Sequence, residues 1–150
     1  QSWVLVVVCA LSLGTLAQFV GPQRIPWVED HSRRVELKAV AAGIEMVDVA
    51  RAKEIVEKGE FLVCDARKSE DFDAGHLPGA VSFPFGTNAE TFHELAALFS
   101  AEQPVMVYCS GLSCDDALLL AKFLQAQGST KVVLFAEGMS GWKEAGHPIE

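Results

Sequence analysis

Five short apolar runs, separated by segments of helical pattern, dominate the chain from residue 44 to residue 150. The runs read IEMV, EFLVCDA, AVSFPF, PVMVYC and KVVLFA. EFLVCDA and PVMVYC are almost continuously apolar, which is typical of strands covered on both faces. Strands that alternate with helices predict an α/β domain. We expect a central, mainly parallel, twisted sheet of about five strands with helices on both faces.

Residues typical of helix ends mark the segments between these strands. Asp48 is the expected N-cap of a helix that ends at Gly59. Ser69 is expected to cap a short helical turn. Further helices are predicted over 89–99 and 114–128.

The N-terminal segment is strongly apolar. Residues 1–23 carry no formal side-chain charge. As a helix, the stretch from Trp3 to Val20 would be about 27 Å long, close to the hydrocarbon thickness of a bilayer. A transmembrane anchor is the favoured interpretation. A signal-like segment with a small-residue cleavage pattern at 15–17 and a buried core helix are the alternatives.

The chain therefore divides into a hydrophobic helix (1–23), a linker (24–43) with a candidate helix from about Ser32 to Ala42, and a globular domain (44–150). We expect a membrane-anchored protein with a single N-terminal span, or a secreted or periplasmic one if the first segment is a signal peptide. Basic residues after the apolar segment lean toward a cytoplasmic domain. They are Arg24, Arg33, Arg34 and Lys38.

Charge and motif content exclude several classes of function. The formal net charge is −8, and no basic stripe is present to neutralise phosphates, so no nucleic-acid partner is expected. The chain also lacks a dinucleotide-binding glycine motif, a P-loop and a pair of catalytic carboxylates, so no cofactor is predicted. Of its 4 cysteines, only Cys109 and Cys114 are close in sequence.

Cys109 lies where an apolar strand gives way to a short loop and a helix. Unpaired N–H groups and the positive end of the dipole at a helix N-terminus stabilise a thiolate. Three interpretations follow from the residues alone: a nucleophile, a Cys109/Cys114 redox pair, or a small apolar residue that ends a buried strand. A metal site is not expected, because a C-x4-C pair lacks a second pair of ligands.

Three separate motifs resemble the rhodanese-homology domain, a family of single-domain sulfurtransferases. The segment 62–85 is similar to the family's D-x-R…G-H-[IL]-P-G-A stretch, and 105–110 to the strand that leads to its catalytic cysteine. The segment 134–150 is similar to its closing G-G-x-x-x-W-x-x-x-G-x-P motif. The matching positions are Asp65, Arg67, Phe72, Gly75, His76, Pro78, Gly79, Ala80, Gly138, Trp142, Gly146 and Pro148.

The resemblance implies sulfur transfer by double displacement. Cys109 would take a sulfane sulfur from thiosulfate or a persulfide and pass it, as a persulfide, to a thiophilic acceptor. The partner would be a small sulfur donor or a persulfidated protein. Asp65 and Arg67 would form an ion pair that supports the loop. Backbone N–H groups would cradle the anion; they belong to Ser110, Gly111, Leu112, Ser113 and Cys114.

The loop departs from the family pattern C-x-x-G-x-R-[ST]. Cys114 stands at the place of the arginine, and the glycine is at 111. Asp115 and Asp116 follow, with helix capping and dipole complementation as their expected main role. With two carboxylates in place of a cation, repulsion would weaken the binding of a dianion by about 1–3 kcal/mol. A persulfide donor is therefore preferred over thiosulfate.

Cys114 leaves two alternatives to sulfur transfer open. It is a candidate resolving thiol that would form an internal disulfide with Cys109, or it has a structural or modulating role. A thiol–disulfide redox protein that uses the two cysteines is therefore the first alternative function. A non-catalytic interaction module that keeps the fold is the second.

Overall fold

The computed structural model describes residues 31–86, 93 and 102–150. Strands and helices alternate along these residues. The helices are α1 (His31–Ala41), α2 (Val49–Lys58), α3 (Ser69–Asp73), α4 (Asp116–Ala126) and α5 (Gly138–Glu144). The strands are β1 (Glu45–Met46), β2 (Leu62–Asp65), β3 (Val81–Ser82), β4 (Val105–Tyr108) and β5 (Val132–Phe135).

The five strands form one parallel sheet in the order β1-β5-β4-β2-β3. This arrangement confirms the predicted α/β fold. In the register of the sheet, Tyr108 at the end of β4 pairs with Asp65 of β2 and Phe135 of β5. The carboxyl ends of the three central strands therefore meet at one edge, and Cys109 follows directly from the middle strand.

Helices cover the sheet on both faces, as the continuous apolar runs predicted. On one face, α1 and α4 pack in a cluster that includes Val35, Ala39 and Leu120. On the other face, α2 and α5 contribute Ile55 and Trp142 to a second cluster. Because α1 buries two side chains in the first cluster, the predicted linker (24–43) contains a helix that belongs to the compact unit His31–Glu150.

Helix α2 has the predicted caps at both ends, whereas the start of α3 differs from the prediction. Asp48 caps α2 by accepting a 2.8 Å hydrogen bond from the amide of Arg51, and Gly59 ends the helix at φ 64°. The prediction that Ser69 caps the next helix is wrong. Extended backbone at Lys68 (φ −62°, ψ 151°) precedes α3, so Ser69 is already its first helical residue.

The predicted hydrophobic helix over 1–23 lies outside the described residues, as does the predicted helix over 89–99 apart from His93. Among the residues that the structure does describe, no helix combines the length and hydropathy needed to cross a bilayer. Membrane anchoring by the first segment stays a prediction.

Candidate active site

A tight loop joins β4 to α4 and carries both cysteines of the C-x4-C pattern. Cys109 opens the loop and is only 4% exposed. Cys114 lies at the far side of the loop and is half-buried. Their sulfur atoms form a disulfide, and their Cα atoms are 6.3 Å apart, within the range typical of disulfides. The fold therefore brings the candidate nucleophile and the candidate resolving thiol into direct contact.

Helix α5 holds the first half of this loop by its backbone. The amide of Met139 donates to the carbonyl of Cys109 at 2.9 Å, and the amide of Ser140 donates to the carbonyl of Ser110 at 2.9 Å. The Ser140 hydroxyl donates to the same Ser110 carbonyl at 2.7 Å. These three bonds fix the direction in which the chain leaves Cys109.

Gly138 allows this close approach of loop and helix. Its φ is +56°, and a Cβ atom there would lie 2.2 Å from the carbonyl oxygen of Cys109. Any side chain would therefore clash with the backbone of the candidate nucleophile, besides straining the left-handed conformation. The requirement for glycine in the closing motif follows from the position of the cysteine.

The second half of the loop is a hydrogen-bonded turn. The amide of Cys114 donates to the carbonyl of Gly111 at 3.0 Å, so this N–H is already engaged. The predicted anion cradle is thus reduced to four candidate donors, the amides of Ser110, Gly111, Leu112 and Ser113. Their role in binding an anion stays a prediction. The hydroxyl oxygen of Ser110 is 3.8 Å from the sulfur of Cys109.

The two aspartates after Cys114 have different surroundings. The side chain of Asp115 pairs with the Lys38 ammonium at 2.8 Å and makes no capping hydrogen bond to α4. A carboxylate oxygen of Asp116, in the first turn of that helix, lies within 4.8 Å of both cysteine sulfurs. Asp116 therefore places a carboxylate near the sulfur atoms, while a cation accompanies the charge of Asp115.

Cys109, Cys114 and Asp116 also offer three potential metal-ligand atoms within 4.8 Å of one another. Thiolate, and not disulfide sulfur, is the ligand that metals bind strongly in proteins. The disulfide form of the loop therefore does not suit a metal ion. The expectation that no metal is required stays a prediction.

A buried polar network supports the sheet edge beneath the loop. The Arg67 guanidinium pairs with Asp65, with its Nη2 at 2.6 Å from a carboxylate oxygen, as expected from the sequence. The Tyr108 hydroxyl donates to the same carboxylate at 2.6 Å and accepts from the amide of Leu77 at 3.1 Å. Arg67 further donates to the carbonyl of Gly75 at 2.8 Å. This network joins the ends of β2 and β4 directly before Cys109.

Burial and neighbouring charge shift the pKa values of Tyr108 and Arg67 in this network and of the free thiol of Cys64. Burial and the Asp65 charge raise the pKa of Tyr108, so its hydroxyl remains a donor. Burial alone would lower the pKa of Arg67, but Asp65 raises it above its usual value. Burial also raises the pKa of Cys64 in β2. Cys64 therefore stays a thiol and is not a competing nucleophile.

Several residues that shape the site are not evident from the local pattern. Ser140 and Lys38 act on the loop from distant parts of the sequence, through contacts that no short motif reveals. Tyr108 is the chain's only tyrosine and interrupts an otherwise apolar strand. Because a buried phenol needs a hydrogen-bond partner, its position was a usable signal for a buried polar network.

Comparison with known proteins agrees with this architecture. A family model described as "Rhodanese-like domain" matches residues 48–145. The chain is 27% identical to thiosulfate sulfurtransferase GlpE of Pseudoalteromonas translucida, over 66% of this chain and 89% of the relative. The solved structure of BH2092 protein from Bacillus halodurans is 25% identical and superposes with a TM-score of 0.62, over 79% of this chain and 85% of that one.

A further relative is a longer protein, of which only a part matches this chain. The chain is 29% identical to HTH-type transcriptional regulator Rv0324 of Mycobacterium tuberculosis, over 81% of this chain. The match spans only 59% of the length of that regulator. Regulatory activity is therefore a property of that larger protein and is not carried over to this chain.

Proposed function

Because the chain belongs to the rhodanese-like domain family, we propose that it is a sulfurtransferase with Cys109 as its nucleophile. Cys109 takes the outer sulfur of a donor, holds it as a persulfide and passes it to a thiophilic acceptor. The reaction begins from the dithiol form, since a disulfide sulfur carries no thiolate. The similarity to a thiosulfate sulfurtransferase supports this class of reaction.

The position of Cys109 is the observation that carries the proposal. Ligands of open parallel sheets bind outside the carboxyl ends of the strands, and Cys109 follows β4, which has β5 on one side and β2 on the other. Two backbone hydrogen bonds from α5 fix the carbonyls of Cys109 and Ser110. The proposed role of the amides that follow is to bind a sulfur anion.

Persulfides suit the site better than thiosulfate as donors. Asp116 places a carboxylate within 4.8 Å of the sulfur of Cys109. A thiosulfate dianion would be repelled there by about 1–2 kcal/mol. The persulfide group carries at most one negative charge at the reacting sulfur atoms and is repelled less there.

The Asp116→Asn variant tests this electrostatic argument. We expect the rate constant for sulfite release from thiosulfate to rise by roughly fivefold to thirtyfold, as removal of about 1–2 kcal/mol of repulsion implies. Asp115→Asn is the matched control, and less than about a twofold change is expected because Asp115 is paired with Lys38 and exposed. An equal effect of both substitutions would show that overall charge, and not the position of Asp116, limits thiosulfate.

A half-reaction tests the proposed function itself. The chain is reduced, freed of reductant and mixed with one equivalent of glutathione persulfide. We expect about one equivalent of glutathione to be released at the rate at which Cys109 loses its free thiolate, because the first displacement does not depend on the later acceptor. Unchanged glutathione persulfide together with slow alkylation of Cys109 would favour the non-catalytic interaction module instead.

The Cys109–Cys114 disulfide favours one second candidate, a thiol–disulfide redox protein. Such a protein would exchange its disulfide with other dithiols, and its reduced form would attack the glutathionyl sulfur of glutathione persulfide and expel HS⁻. The group left on Cys109 in the Cys114→Ser chain separates the two functions: a persulfide for the sulfurtransferase, and a mixed disulfide with glutathione for the redox protein.

A further inference from the structure

The proposed transfer reaction gives no role to Cys114. It bonds to the sulfur of Cys109 within a folded loop, and the Cα atoms of the two residues are 6.3 Å apart. We propose that Cys114 resolves the Cys109 persulfide in the same chain, so that the protein reduces sulfane sulfur to hydrogen sulfide. This inference rests on the proposed function, because it requires the persulfide as its starting point.

The chemistry balances with groups already assigned. The Cys114 thiolate attacks the inner sulfur, Sγ of Cys109, and a new Sγ–Sγ bond forms as the bond to the outer sulfur breaks. The outer sulfur leaves with the electron pair as HS⁻ and takes a proton from water. Over the two displacements together, two cysteine thiols are oxidised to the disulfide, and the sulfane sulfur is reduced to sulfide. An external dithiol, such as that of a small reductant or a dithiol protein, then restores both thiols.

The loop keeps both sulfur atoms in reach without a rearrangement. Three hydrogen bonds from α5 hold the backbone of Cys109 and Ser110, and the turn bond between Cys114 and Gly111 holds the other side. The ion pair between Lys38 and Asp115 adds a contact next to Cys114. Such an arrangement makes the second step intramolecular, with the high effective concentration that fixed geometry confers.

Access favours this internal acceptor over an external one. Cys109 is only 4% exposed, whereas Cys114 is half-buried and lies against it. An external thiol must reach a sulfur at the bottom of the loop, while Cys114 is already there. We therefore expect internal resolution to be faster than transfer to a bulky acceptor.

A trapping experiment with four proteins tests the inference. The wild-type chain, Cys114→Ser, Cys109→Ser and Cys64→Ala are reduced, freed of reductant and mixed with one equivalent of glutathione persulfide. Sulfide is measured by a colorimetric assay, and the two loop peptides are identified by mass spectrometry. Cys64→Ala is the matched control, because Cys64 is buried in β2 and has no place in the reaction.

Resolution by Cys114 predicts which product each of the four proteins gives. The wild type and Cys64→Ala should release about one equivalent of sulfide and become about 2 Da lighter, with the two loop cysteines linked. Cys114→Ser should instead stay about 32 Da heavier at Cys109 and release at least about tenfold less sulfide. Cys109→Ser should show neither product.

Two results would overturn the inference, and they differ in whether they also exclude the proposed sulfurtransferase. A wild-type chain that keeps the added sulfur on Cys109 as stably as Cys114→Ser does would leave the sulfurtransferase proposal intact and exclude resolution by Cys114. Failure of every protein to release glutathione or take up sulfur would exclude both the resolution and the sulfurtransferase.

Discussion

We expect the Cys109→Ser substitution to abolish sulfur transfer, with a fall of at least about a thousandfold in glutathione release from glutathione persulfide. A serine hydroxyl is far less acidic than a thiol and is not ionised by the helix N-terminus and the loop amides. The side chains are nearly equal in size, and Cys109 is 4% exposed, so the fold should accommodate the change. Stopped-flow measurement of the half-reaction, with circular dichroism as a check of folding, gives the result.

Cys64→Ala is the control for this experiment. Cys64 is buried, and burial raises the pKa of its thiol. We expect its variant to keep at least about half of the wild-type rate, because a thiol in that state is not a nucleophile. A Cys109→Ser chain that still turns over at more than a tenth of the wild-type rate would place the reaction elsewhere.

The second large effect concerns stability. We expect Asp65→Asn to lower the free energy of unfolding by about 3–5 kcal/mol, because it leaves the Arg67 guanidinium buried without a counter-charge. Asp65 is 0% exposed and is bonded to both Arg67 and the Tyr108 hydroxyl. The amide keeps the shape of the side chain but offers only one acceptor oxygen. Urea unfolding of the full chain, followed by tryptophan fluorescence, measures the loss.

Glu57→Gln is the matched control for Asp65→Asn. Glu57 forms an exposed ion pair with Lys53 on helix α2, and its side chain is 61% exposed. Exposed pairs contribute little, so a change of less than about 0.5 kcal/mol is expected. If the two substitutions cost the same, burial of the Asp65–Arg67 pair would have no energetic consequence, and the network would not be what holds the sheet edge.

Some features tested by these experiments follow from the local sequence, whereas others depend on contacts between residues that are distant in sequence. The sequence neighbours of Cys109 are enough to make it a candidate, because an apolar run that ends at a cysteine before a helical pattern marks the edge of a parallel sheet. The Asp65–Arg67 pair was also expected from its motif. The contact of that pair with Tyr108 is not predicted by the motif, because 39 residues separate the two strands.

The aspartates show the same limit. The sequence predicts one shared role for the adjacent Asp115 and Asp116, in capping and dipole complementation. The structure separates them, because Lys38 of α1 packs near the start of α4 and pairs with only one of the two. The pairing of Asp115 with Lys38 depends on how helices α1 and α4, which are distant in sequence, pack on one face of the sheet. A local sequence pattern does not predict such packing.

Sequence alone determined the α/β architecture and the place of Cys109 at the carboxyl edge of the sheet, because hydrophobic periodicity and strand order along the chain are local properties. Only the tertiary structure decided that Cys114 bonds to Cys109 and that Asp116 lies beside both sulfurs. It also revealed that α5 forms hydrogen bonds with the backbone carbonyls of Cys109 and Ser110. These features depend on distances between atoms, which packing of the helices on the sheet sets and which spacing in sequence does not.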